Sequence, residues 1–149
     1  MIINEILHYI TNKYDGVVIK NSYKELAIFY NPNNLLKNGV YVCTIKEQDG
    51  NNDKASKLFR NGVFRFSCGL TKDDYINLFK ILPKRPKKGE IVDLPYDFSI
   101  LHEIIPHPIY AYMGWICINC TQETNLELFY KYIDLSYQKA VNNYNKKLC

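Results

Sequence analysis

A single α+β domain is the fold class that three features of this 149-residue sequence predict: an antiparallel sheet with flanking helices, in the order helix, several strands, helix, strand, C-terminal helix. Short apolar runs between residues 17 and 68 are separated by connections too brief for the crossover helices of a doubly wound parallel sheet. Apolar residues recur at helical spacing at both ends of the chain. Between them, the stretch Pro106-His-Pro-Ile-Tyr-Ala-Tyr-Met-Gly-Trp-Ile-Cys-Ile118 is nearly all apolar. It predicts a long interior strand over 109–118, with Trp115 largely buried.

The elements follow in order. Ile2, Ile3, Ile6, Leu7 and Ile10 form one stripe of an amphipathic helix over 2–14, closed by Asp15-Gly16. Residues 17–19, 25–30 and 40–45 read as strands, with Asn31-Pro-Asn-Asn34 as the turn that ends the second. The polar run 46–53 cannot bury itself and is expected as an exposed loop or hairpin tip. Over 63–68 the alternation places Phe64, Phe66 and Cys68 on one face and Val63, Arg65 and Ser67 on the other. Thr71-Lys-Asp-Asp74 is a helix-capping signature, and Pro83 and Pro86 stop the helix it starts. Residues 81–95 form a proline-punctuated basic connector, after which Asp97 or Ser99 could cap a short helical turn. Thr124 with Glu127 predicts the cap of a long C-terminal helix with the stripe Leu126, Phe129, Tyr130, Ile133 and Tyr137, and a frayed tail is expected from Asn142.

Composition bounds the function classes. Hydrophobic residues make up 47% of the chain and charged residues 23%, enough for one core and a soluble surface. No apolar run approaches the roughly 18 residues of a transmembrane helix. Met-Ile-Ile-Asn-Glu lacks the basic region of a signal peptide, so a cytoplasmic protein without membrane contact is expected. The five cysteines are an odd number, and three sit in apolar runs, which suits buried free thiols in a reducing compartment. A formal net charge of +4 falls short of a dedicated nucleic-acid binder. No Gly-rich phosphate loop and no Gly-x-Ser-x-Gly elbow is present.

Among residues that could carry chemistry, Cys117-Ile-Asn-Cys120 has the spacing of half a zinc knuckle. In a strand the two thiols face opposite sides and no second pair follows, so neither metal nor other cofactor is expected. His107, held between two prolines, is a candidate acid-base group or a hydrogen-bonded anchor of a strand entry. Arg60 and Arg65 could together clamp a phosphate or carboxylate, with Lys54, Ser56 and Tyr110 completing a ligand set. The alternative is structural ion pairing of those arginines with Asp53, Asp97 or Glu103. Lys84, Arg85, Lys87 and Lys88 form a basic run without intervening acids, suited to weak nucleic-acid contact or to a solvated loop.

Asp53-Lys-Ala-Ser56, Arg60-Asn-Gly-Val-Phe-Arg65, Arg85-Pro-Lys-Lys-Gly89, Tyr96-Asp-Phe98, Pro106-His-Pro-Ile-Tyr110 and Met113-Gly-Trp115, in this order, resemble the bacterial family called domain of unknown function 6194. The resemblance runs from the first helix to the last, and implies no established activity. The sequence departs from the family's pattern at Cys120, where a proline usually follows the asparagine, and at Ser67, where an asparagine is usual. A tryptophan-bearing strand leading into a helix with Ser136-Tyr137 is also similar to the YjbR-like or double-wing proteins, which implies DNA binding as suggested for that group. The expectation is therefore a module for a small anionic ligand, with weak nucleic-acid binding. The alternatives are a small enzyme with His107 as acid-base group and Arg60 and Arg65 holding an anionic substrate, or a purely structural interaction protein.

Overall fold

The computed structural model describes residues 2–22 and 25–148; Cys149, the fifth thiol, lies outside them. The helix α1 (Ile2–Lys13) buries Ile2, Ile3, Ile6 and Ile10. The strands β1 (Val17–Ser22), β2 (Glu25–Tyr30), β3 (Val40–Lys46) and β4 (Phe64–Gly69) follow, then α2 (Lys72–Phe79), β5 (Ile104–Pro106), β6 (Trp115–Cys120) and α3 (Tyr130–Leu148). The strands form one six-stranded sheet in the order β1-β2-β3-β4-β6-β5, and every neighbouring pair is antiparallel. The α+β architecture expected from the sequence is the one adopted.

Register gives the sheet two unlike faces. Cross-strand rows such as Ile28, Cys43, Cys68 and Ile116, or Leu26, Ile45, Phe66, Ile118 and Ile104, make one face apolar. The helix α3 covers that face: Phe129 packs 5.0 Å from Phe66, ring centroid to centroid, and the buried Ser136 hydroxyl donates to the Val42 carbonyl. Beside it, α1 is held by the Tyr9–Tyr130 stack at 4.0 Å and by a hydrogen bond from the Tyr14 hydroxyl to Asp134. On the other face lie the rows Glu25, Lys46, Arg65, Asn119 and Ala27, Thr44, Ser67, Cys117, Ile105. Among the described residues no helix packs on this polar side. Loops fold over it, and Asn119 Nδ2 ties the 81–103 connector down by donating to the carbonyls of Phe98 and Ile100 at 2.8 and 3.0 Å.

Three expectations are corrected. The run 109–118 is not one strand: residues 107–114 form a loop with a 3-10 turn over Ala111–Met113 between β5 and β6. His107 causes the break, because its ring Nδ1 accepts the backbone N–H groups of both Ile109 and Tyr110 at 3.1 Å and turns the chain. Gly114, at φ +96°, completes the turn in a conformation side-chain-bearing residues avoid. Trp115 is largely buried, as expected, though not fully, its indole lying over Gly69, where a Cβ would come within 2.8 Å of it. Thr124 is not the cap of the last helix. Its hydroxyl accepts the Thr121 N–H at 2.8 Å and meets His102 Nδ1 at 2.7 Å, while Asn125 caps a short 3-10 turn, Leu126–Phe129, that leads into α3. Asp97 caps no helical turn either: its carboxylate accepts both the N–H and the hydroxyl of Ser99, and a short strand, β5, follows. Thr71 does cap α2, accepting the Asp74 N–H at 3.1 Å.

Candidate functional site

The polar row on β2, β3 and β4 sets the floor of the site. Arg65 is 1% exposed, and its guanidinium forks onto Asp53 at 2.8 and 2.5 Å while also donating to the Ser56 hydroxyl at 3.0 Å. Lys46 adds a second cation 3.4 Å from Asp53. Burial pushes the Asp53 carboxyl up, but the hydrogen bonds and charge of Arg65, helped by Lys46, reverse this and hold it well below the usual carboxylate range. Arg65 is thus a structural cation whose partners are the chain's own, the ion pairing with Asp53 that the sequence left open.

Arg60 is also spent internally. It donates to the carbonyls of Lys57, Ser56 and Ser99 at 2.9, 2.9 and 2.8 Å, stitching the 47–63 loop to the connector. The two guanidiniums meet at Ser56, one on its carbonyl and one on its hydroxyl, and do not form a clamp open to a ligand. Arg60 lines a separate depression of about 560 Å3, beside Glu47, Asp49 and Phe59. Lys54 is exposed on its loop and outside the cleft described next, and Ser56 is buried.

Beyond this floor a cleft opens in two adjoining lobes. The inner lobe, about 250 Å3, is lined by Glu25, Tyr41, Thr44, His107, Tyr110, Met113 and Trp115. The outer lobe, about 570 Å3, shares Glu25, Tyr41 and Tyr110 with it and adds Lys46, Asp53, Arg85, Lys87, Lys88 and Tyr112. The basic connector therefore forms a wall of the cleft, with the Arg85 guanidinium carbon 5.7 Å above the Tyr112 ring. Lys84 is exposed and faces elsewhere. Of the two residues singled out by sequence, Tyr110 stands at the join of the lobes and His107 in the inner lobe, their rings 5.1 Å apart.

His107 is 2% exposed. Because Nδ1 receives two backbone N–H groups, the neutral ring carries its proton on Nε2. Burial drives its pKa well below the usual value, and the charges of Arg65 and Lys46 push the same way against Asp53. The ring is a fixed neutral donor. Burial raises the Glu25 carboxyl and the Tyr110 phenol above their usual ranges, opposed at Glu25 by Lys46 and Arg65. Among the described residues no group of three or more His, Cys, Asp and Glu side chains is placed to hold a metal ion. Cys117 and Cys120 are buried, three positions apart on β6 and so on opposite faces.

Sequence reasoning missed Glu25, Tyr41, Thr44 and Lys46. The signal lay in polar residues at period two, Thr44 and Lys46 beside Arg65 and Ser67, which become one surface only when the strands are set in register. No helix among the described residues is long and apolar enough to cross a membrane. No curated protein and no solved structure matches the chain. A family model does, over residues 1–148, which take in the cleft walls, the Asp53–Arg65 pair and the His107 turn alike, and the chain belongs to that family, the family of unknown function DUF6194.

Proposed function

We propose that the protein binds a small anionic ligand in the two-lobed cleft. One observation carries this reading: Arg85, Lys87 and Lys88, exposed and outnumbering Glu90, the one acid beside them on the connector, form one wall of a concave site whose other walls hold His107 and Tyr110. Convergent cations in a partly apolar cleft suit phosphate or carboxylate groups. The anion-holding residues are those of the connector and not Arg60 and Arg65. Calorimetric titration with inorganic phosphate and with citrate tests this. Binding is expected to vanish when Arg85, Lys87 and Lys88 are all changed to Ala, and to survive Arg60→Ala; equal affinity in the triple variant would sink the proposal.

A second reading, a small enzyme, draws on the company His107 keeps. Its fixed Nε2–H suits donation to a substrate oxygen rather than proton abstraction, and Glu25, whose carboxyl is raised by burial, is the group in the same lobe suited to accept a proton. The nucleic-acid reading draws on the same lysines, but a cleft of this size favours a small molecule over a strand. Ser136 and Tyr137, which carry the likeness to YjbR-like proteins, spend their hydroxyls on the carbonyls of Val42 and Asp15.

A further inference from the structure

The two lobes differ in chemistry in a way that defines the ligand more narrowly than its charge. The inner lobe is walled by aromatic rings: Tyr41 stands edge-on to Trp115 at 6.1 Å, His107 lies 6.5 Å from the same indole, and Tyr110 closes the join. Flat aromatic walls favour a planar ring between or against them. Besides the Thr44 hydroxyl and the polar ends of the tyrosines and Trp115, the lobe is lined by two groups of fixed and opposite hydrogen-bonding sense. His107 offers Nε2–H as a donor, its other nitrogen being occupied by two amides, and Glu25 offers carboxylate oxygens as acceptors. A ring satisfying both carries an acceptor and a donor on its edge. The basic residues stand only in the outer lobe, so the ring's anionic substituent must project away from its polar edge and out of the inner lobe.

We infer that the ligand of the cleft is a nucleoside monophosphate, its base held in the inner lobe against Tyr41 and Trp115 with its edge on His107 and Glu25, and its phosphate on Arg85, Lys87 and Lys88. This rests on the anion-binding reading above and names the ligand class of that same site. A nucleobase is planar and presents donors and acceptors on one edge, and the sugar separates it from the phosphate, as the two lobes require. His107 is then a specificity-determining residue. Its backbone-fixed ring cannot rotate to exchange donor for acceptor, so it selects bases with an acceptor at that point of the edge.

Trp115 is the sole tryptophan and lines the inner lobe, so its fluorescence reports entry of a ring. The full chain would be titrated with AMP, GMP, CMP and UMP, with the matching nucleosides, and with inorganic phosphate, the last followed by calorimetry. At least one nucleotide should quench saturably, with the nucleoside and phosphate each bound about tenfold or more weakly. His107→Asn keeps an oxygen to accept the Ile109 and Tyr110 amides but, being shorter, leaves no donor at the Nε2 position, and should weaken that nucleotide about tenfold while leaving phosphate affinity unchanged. Tyr41→Ala, at a residue 52% exposed and so safe for folding, should do the same. Lys87→Ala with Lys88→Ala should weaken nucleotide and phosphate together. If phosphate binds as tightly as every nucleotide, or if His107→Asn and Tyr41→Ala leave nucleotide affinity unchanged, the nucleotide inference is overturned while the anion site stands. If neither phosphate nor any nucleotide binds, the anion-binding reading falls and this inference with it.

Discussion

Arg65 is the largest fully buried side chain among the described residues, and its burial is tolerated only because Asp53, 13% exposed, neutralises it. Even so its Nε has no partner. Replacing one member of such a pair leaves an uncompensated charge in the interior, so Asp53→Asn should cost about 3–5 kcal/mol in urea unfolding at neutral pH. The pH dependence has a definite sign. The folded-state pKa of Asp53 lies below its ordinary value of 3.8, so the pair's stabilisation is complete above about pH 4 and is lost as the pH falls through the folded value. Wild-type stability should therefore drop more steeply than that of Asp53→Asn below pH 4. Parallel curves would show that the carboxylate is not what holds Arg65.

The turn between β5 and β6 is the element that makes the site, because it swings His107 and Tyr110 over the polar face and leaves Trp115 lining the lobe. Its composition, apolar and rich in tyrosine, reads as strand. What breaks the strand is a side-chain acceptor, His107 Nδ1, competing for amides that a sheet ladder would otherwise take. Gly114 is indispensable to the turn: at φ +96° any side chain is strained, and a Cβ there would lie 2.6 Å from the Leu70 carbonyl oxygen. Gly114→Ala should cost more than about 1 kcal/mol. Gly62→Ala, also at positive φ but with nothing within 4 Å of the added Cβ, should cost less. Equal shifts in urea midpoint would mean that the close approach to Leu70 is relieved at no expense.

On the scale of the whole molecule, a sheet with one apolar and one polar face assigns packing to one side and chemistry to the other. The +4 net charge is modest, and the cations facing the cleft are few. Binding to a single-stranded oligonucleotide through them should appear at low ionic strength and mostly vanish near physiological salt, since such contacts depend on counterion release. Neutralising Arg85, Lys87 and Lys88 should flatten the salt dependence. Micromolar, salt-resistant binding to one oligonucleotide sequence would instead point to a nucleic-acid surface.

Local pattern was enough for the fold class, both terminal helices, the first four strands and the Thr71 cap, because periodicity and capping depend on residues within a turn or two of each other. It was also enough to single out His107, Tyr110 and the basic connector. The meaning of Arg60 and Arg65 was not local: whether a guanidinium faces a ligand or its own chain depends on which carbonyls and carboxylates the loops bring to it, Asp53 twelve residues away and Ser99 thirty-nine. Glu25 and Lys46 became neighbours only through strand register, and the cleft exists only because the connector and the β5–β6 turn fold over the polar face.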